Sequence, residues 1–301
     1  MPFTKFTKKI DALQIQVIYK LAELKMISAI LSAMTRSVFV HETIDIVGQG
    51  QYDYMDMVNR EPAQHMPDMT SLQGTFYVLG FGGGRWPQVI NIWDCGEDGW
   101  DGWGRNLDRL NLKRRKAFYG DWWDEAAQWR TGGFDRVCAG IAESPTTQQI
   151  CDRGIKGTLF VNEVLAVQPG TQLEYLNLVA SERCDVMADH GIHATGLWEV
   201  VTNAHEIVMV WATTVNDWVQ FQKNRDTTKG LDDSGTVDER ITKWEKTAST
   251  YITSGDTHIM TPLPGTVYGP DDWEEANLND WLSEKAPAEY KTQNPTGNSE
   301  K

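Results

Sequence analysis

Residues 38–59 of this 301-residue chain, VFVHETIDIVGQGQYDYMDMVN, fall without a gap on residues 159–180, LFVNEVLAVQPGTQLEYLNLVA, when shifted by 121 positions. Phe39/Phe160, Val40/Val161, Glu42/Glu163, Gln51/Gln172, Tyr54/Tyr175 and Val58/Val179 are identical. The same shift pairs Trp123 with Trp244, Ala127 with Ala248 and Asp135 with Asp256. Between these anchors, Trp93/Trp211, Trp100/Trp218, Trp103/Phe221, Arg105/Lys223 and Asn106/Asn224 correspond once a turn is allowed to differ in length. Self-similarity of this kind reads as a tandem duplication of a unit of about 110 residues, so the fold question reduces to one unit.

Within each unit the pattern runs strand, helix, strand, strand, helix, strand. TLFVNEVLAV is apolar and β-branched and stops at Pro169-Gly170, a turn signal. Leu173, Leu176, Leu178 and Val179 follow at helical spacing, with Thr171 placed to cap that helix and His190-Gly191 to end it. HATGLWEVV and HEIVMVWATT make a hairpin, helices follow over 216–224 and 238–251, and HIMTPLP is the last strand. The first copy reads the same way, with helices over 50–60, 98–110 and 119–130 and a weaker last strand near 134–140. This order predicts an α+β fold: two tandem ferredoxin-like βαββαβ units, each an antiparallel sheet with helices on one face. The bare face of each sheet is apolar and must find a partner, so the two units are expected to pack sheet to sheet around a barrel-like cavity.

The expected divisions are 1–34, an N-terminal amphipathic helix; 35–150 and 157–265, the two repeats; 266–285, a short C-terminal helix; and 286–301, a disordered tail. Residues 1–33 have no counterpart in the second copy and are either an appendage or a packing or oligomerising helix. A net charge of -14 argues against nucleic acid, which needs clustered Lys and Arg. No apolar run approaches the ~18 residues of a membrane span, so stable insertion is not expected. Cys95, Cys138, Cys151 and Cys184 are scattered without a CxxC, which argues against a disulfide framework or structural zinc and suits a reducing cytoplasm.

DHGIHATGLWEVV followed by NAHEIVMVWATTVNDWVQFQKNRD resembles the NIPSNAP branch of the dimeric α/β-barrel superfamily. There a helix ending in His-Gly leads to a Gly-x-Trp strand, a turn, an apolar strand ending near Trp, and a helix bearing Trp and Phe. The likeness spans 157–265, is fainter over 37–150, and implies a homo-oligomeric barrel with a cavity between paired sheets. Across the superfamily that cavity serves haem, small hydrophobic substrates of cofactor-free monooxygenases and cyclases, or no known chemistry.

Glu42 and Glu163 share strand parity with Val40, Ile44, Val161 and Leu165, so each carboxylate stands in an apolar row. Such a group must find a donor, reach water or take a proton, which makes it either a general acid or base or a structural acid paired to Arg. His41 is adjacent to Glu42 and points to the opposite face, so the two form no simple dyad; Thr43 and Asp45 share its face. His41 becomes Asn162 and Asp45 becomes Ala166 in the second copy, which leaves both freer for function. Tyr54 packs or aims its hydroxyl at a cavity mouth, and His65 lies in a Pro- and Met-bearing segment of the kind that closes over pockets. Trp86, Trp122 and Trp198 lack aromatic counterparts and are candidate walls for a hydrophobic ligand. His190 and His193 have HxxH spacing, but Gly191 breaks the helix and no third ligand is near, so no metal site is assigned. Gly82-Gly83-Gly84-Arg85 leads into a strand, not a helix, and reads as a hairpin turn.

The expected function is a small-molecule enzyme of lyase, isomerase, cyclase or monooxygenase type. It would bind a hydrophobic substrate in the barrel cavity without a tightly bound cofactor, with Glu42, His41, Glu163 and Tyr54 as catalytic candidates. Asp45, His65, Trp86, Trp122 and Trp198 would contact the substrate. The alternatives are a non-catalytic ligand-binding or oligomeric scaffold, favoured by a lumen filled with side chains, and a haem- or iron-dependent barrel enzyme.

Overall fold

The computed structural model describes residues 20, 35–65, 71–96, 98–111, 122 and 124–273. The expected N-terminal helix and disordered tail lie outside these residues. The first half comprises β1 (Val38–Ile46), α1 (Gln51–His65), β2 (Ser71–Val78), β3 (Gln88–Asp94), α2 (Trp100–Asn111) and β4 (Arg130–Gly140). A connecting helix, α3 (Thr147–Arg153), precedes the second half. That half comprises β5 (Leu159–Val167), α4 (Gln172–Leu178), a π turn (Val179–Arg183), α5 (Cys184–Asp189), β6 (His193–Val200), β7 (Glu206–Thr213), α6 (Val215–Thr228), α7 (Glu239–Ala248) and β8 (Ile252–Pro262).

All eight strands are antiparallel to their neighbours and close into one barrel in the order β1-β3-β2-β8-β5-β7-β6-β4. Each half contributes the 4-1-3-2 order of a ferredoxin-like unit, β4-β1-β3-β2 and β8-β5-β7-β6. The bare faces confront each other as expected, and the sheet edges also pair. β2 meets β8 over Phe76↔Pro262 to Val78↔Met260, and β4 meets β6 over Cys138↔Val200 to Gly140↔Trp198. Closure removes the free edges that two separate four-stranded sheets would leave.

Strand alternation gives each strand an interior and a helix-facing row. On the helix side of the first half, Ile44, Ile46 and Val89 pack against Tyr54, Met55 and Val58 of α1. In the second half, Leu165 and Trp211 pack against Tyr175, Leu176, Phe221 and Trp244. The interior row combines large aromatic side chains with a polar level at His41, Thr43 and Asn162. Phe39 stacks on Trp198 at 4.7 Å, and Phe76 meets Phe160 at 4.8 Å. Gly74 and Gly196 make room for these rings: a Cβ there would lie 2.5 Å from Phe76 and 2.3 Å from Trp198. Tyr268, on the loop after β8, adds its ring 6.1 Å from Phe160 and donates its backbone N–H to Gln73 O. Each such buried side chain contributes about 1.5–3 kcal/mol relative to exposure.

The interior at this level is therefore packed. An eight-stranded barrel is only wide enough for its own side chains when large aromatics point inward. Two element readings also shift: β2 and β4 begin earlier than the sequence signals, at Ser71 and Arg130. The helix that opens at 172 ends at Asp189, before the His190-Gly191 exit, with a π turn within it. Residues 266–273 form turns, not the start of a helix, and 274–285 lie outside the described residues.

Candidate functional site

Glu42 and Glu163 both face the helix layer, sharing that side with Ile44 and Leu165. The proton-transfer candidates thus border cavities between sheet and helices, outside the barrel. His41 and Asp45 point the other way, into the interior.

In the first half, Asn91 lies directly opposite Glu42 on β3, and Asp135 directly opposite it on β4. Register alone therefore places an amide and a second carboxyl beside Glu42. Asn91 Nδ2 donates to Glu42 Oε2 at 2.8 Å, and Trp93 Nε1 donates to the same oxygen at 3.1 Å. Asn91 Nδ2 also reaches the buried Tyr54 Oη at 3.3 Å. A cavity of about 400 Å³ opens here, bordered by Glu42, Ile44, Arg130, Phe134 and Asp135.

Burial holds the Glu42 carboxyl above the ordinary range; the Asn91 and Trp93 hydrogen bonds and the Arg130 charge oppose this, while Asp135 reinforces it. Burial raises Asp135 as well, against the pull of Arg130. Two carboxyls with raised affinity for protons share one cavity, the arrangement in which one stays protonated while the other ionises.

The second half has the same frame and different chemistry. Arg183, at the end of the π turn, forks onto Glu163, with Nη1 2.7 Å from Oε2 and Nη2 2.9 Å from Oε1. Trp211 Nε1, at the position of Trp93, donates to Oε2 at 2.7 Å. The guanidinium lies 4.7 Å from the Trp211 ring and 5.8 Å from the Trp244 ring. Glu163 is thus a structural acid paired to Arg, one of the two readings its sequence position allowed. The residue opposite it on β8 is Thr257, so Thr257 and not Asp256 occupies the place of Asp135. β8 is offset by one residue relative to the 121-residue shift, and a one-residue slip turns every side chain to the other face. The cavity beside Glu163, about 630 Å³, is lined by Tyr175, Arg183, Met187, Trp218, Phe221 and Trp244 among others.

His41 Nε2 meets Asn162 Oδ1 at 3.1 Å, so residues 121 positions apart touch inside the barrel. Burial and the neighbouring Arg136 lower the His41 pKa to about 4, which keeps the imidazole neutral. Asp45 accepts from Gln88 Nε2 at 2.8 Å and pairs with Arg85. Neither residue borders the Glu42 cavity, because each lies across the sheet from it. Trp198 is fully buried in the interior stack, so it packs the barrel and walls neither outer cavity. Trp86 is 65% exposed on the β2–β3 hairpin and lines neither cavity. Trp122 is half-buried against the first-half core, with the Arg130 guanidinium 5.9 Å from its ring. His65 closes α1, and its side chain lies outside the described residues.

Asn91, Asp135, Arg130 and Arg183 went unselected in the sequence. Three of them are polar in one copy alone: Asn91 stands opposite Met209, Arg183 opposite Pro62 and, with β8 offset by one residue, Arg130 opposite Ile252. The one-copy filter already applied to His41 and Asp45 would have flagged them.

No His or Cys borders either cavity. His190, close to the larger one, has Nε2 3.1 Å from Asp238 Oδ2 and Nδ1 against Asn224. Among the described residues no cluster of three or more His, Cys, Asp or Glu side chains is placed to hold a metal ion, and no helix is long and apolar enough to cross a membrane.

No protein-family profile and no curated protein matches the chain in sequence. Solved structures do resemble it. A presumed monooxygenase from Lactobacillus acidophilus aligns over 75% of this chain and 94% of its own, with 9% identity and a TM-score of 0.49. A NIPSNAP-like domain protein from Burkholderia xenovorans aligns over 36% of this chain and 90% of its own, with 16% identity and a TM-score of 0.30. Chlorite dismutase from Candidatus Nitrospira defluvii aligns over 77% and 94%, with 10% identity and a TM-score of 0.37. At these identities and TM-scores the likeness carries no functional argument; the strand order by itself shows two ferredoxin-like units closed into one barrel.

Proposed function

We propose that the protein is a small-molecule enzyme using acid–base chemistry in the outer cavity of its first half. The observation that carries this reading is the pair Glu42 and Asp135, register partners on adjacent strands, both with raised proton affinity, Glu42 half-buried and Asp135 open to solvent at the cavity mouth. The donors to Glu42, Asn91 and Trp93, are neutral, so they orient the carboxyl without fixing its charge. In a proton-transfer cycle the ionised carboxyl removes a proton from the substrate and the protonated one supplies a proton to another of its atoms. This gives an isomerase or lyase step with no net redox change. Ile44, Ala127 and Phe134 supply apolar walls for a hydrophobic substrate.

Aromatic packing across one level of the interior favours a second reading, a non-catalytic ligand-binding or scaffold protein, because it narrows the lumen there. Incubating a metabolite extract with wild type, Glu42→Gln and Asp135→Asn, followed by mass spectrometry, separates the two. Enzymatic function requires a compound consumed by wild type and spared by both variants. Consumption at equal rates by all three would remove this carboxyl pair from the mechanism.

A further inference from the structure

The larger cavity, under the helices of the second half, takes no part in the chemistry proposed above. Both oxygens of Glu163 are engaged by Arg183 and Trp211, which leaves it ill-suited to proton transfer. Two other groups at this cavity are not engaged. Tyr175 is fully buried, and its hydroxyl has no hydrogen-bond partner among the described residues. Arg183 spends its two terminal nitrogens on Glu163, while its Nε–H is buried and likewise lacks a partner. Leaving a buried donor unpaired costs about 1–3 kcal/mol, and native structures rarely do so without a ligand or water to accept.

We propose that this cavity binds a flat, neutral, apolar molecule carrying a carbonyl oxygen, which accepts from the Tyr175 hydroxyl and the Arg183 Nε–H. The neutrality follows from the ion pair: Glu163 already balances the guanidinium charge, so the site offers two donors without a free positive charge. Burial raises the Tyr175 pKa, so the hydroxyl keeps its proton and can only donate to such an acceptor. Flatness and apolarity follow from the walls, where Trp218, Phe221, Trp244 and Met187 face the space. At about 630 Å³ the cavity is in the range of sites for drug-sized ligands. The equivalent hydroxyl in the first half, Tyr54, has Asn91 as a hydrogen-bond partner, whereas Tyr175 has none among the described residues.

The test uses two probes with one carbon skeleton, 9-fluorenone and its carbonyl-free parent fluorene, titrated into the full-length protein by calorimetry or tryptophan quenching. The expected result is that fluorenone binds more tightly than fluorene. Tyr175→Phe, which keeps the ring and deletes only the unpaired hydroxyl, should weaken fluorenone roughly tenfold, the upper range for one neutral hydrogen bond, and leave fluorene unchanged. The proposal fails if Tyr175→Phe binds fluorenone as tightly as wild type does. It fails equally if fluorene matches fluorenone, or if neither probe binds to a protein whose unfolding is cooperative.

Discussion

The two outer cavities share a scaffold and differ in what was done with one carboxylate. Glu42 and Glu163 occupy the same strand position, and a tryptophan indole donates to each. In the second half a π turn brings Arg183 onto Glu163, and Thr257 stands opposite. In the first half Pro62 stands where Arg183 would be, Asn91 replaces the arginine fork with a neutral amide, and Asp135 adds a second acid. A salt bridge fixes charge and serves stability, whereas an acid pair with neutral donors leaves charge variable, as the proposed proton transfer requires. The difference is open to measurement.

The largest effect is expected at the locked site. Arg183→Ala would leave Glu163 buried without its counter-charge, and breaking such a pair from one side costs about 3–5 kcal/mol. Urea denaturation of the variant should show that loss as a lower midpoint at unchanged slope. A cost below ~1 kcal/mol would mean that the Glu163 site is as adaptable as the Glu42 site, and the contrast would collapse.

A second effect concerns the interior, where His41 faces Asn162. The folded-state pKa of His41 is lowered from 6.5 to about 4, so the unfolded chain binds the extra proton across that window. Stability contributed by the neutral imidazole is full above pH 6.5 and is lost as pH falls through about 4, a change of about 3 kcal/mol. His41→Asn, which gives both halves the same residue, should remove that pH-dependent component from denaturation midpoints measured over this range. Parallel curves for wild type and variant would show that His41 is not the titrating group.

Much of this was legible in the sequence, for identifiable reasons. Adjacent residues on a strand must face opposite ways, so separating His41 from Glu42 needed nothing beyond a correct strand assignment. The helix order and the ferredoxin-like units followed from hydrophobic period and turn residues. Which row faces inward did not follow, because both faces of each sheet are covered and each carries apolar residues. Either Glu42 or His41 could have faced the lumen; His41 does, and Glu42 lies under the helices. The partner of Glu163 was also hidden, since Arg183 reaches it only through the π turn, a local irregularity without a sequence signature. The pairing of Asp135 with Asp256 was misleading for a related reason: one extra residue before the end of β8 moves Asp256 to the other face.

The Trp93→Phe variant sharpens the comparison at a smaller scale. It deletes one of two neutral donors to Glu42, at a cost of about 0.5–1.5 kcal/mol, and should push the Glu42 titration further upward. Carbon-13 NMR of the labelled side-chain carboxyl reads that shift directly. An unmoved titration would mean that the indole packs against Glu42 without tuning it.

The smallest stability change, and the most informative for function, is expected from Glu42→Gln. At neutral pH wild type bears the cost of desolvating this carboxyl, which the amide does not. The amide in turn gives up the charge-assisted part of the Asn91 and Trp93 bonds while retaining an acceptor oxygen for them. These contributions oppose each other and leave a net change within ~1 kcal/mol. Because the folded pKa is raised, the wild-type carboxyl favours folding most at acid pH, below its unfolded value. That advantage declines as pH rises from the ordinary carboxylate range through the folded pKa. The stability difference between wild type and Glu42→Gln should therefore shift toward the variant as pH rises, then level off. A difference that moved the other way would show that Glu42 is held as a stabilised carboxylate, and the first-half cavity would lose its claim to proton chemistry.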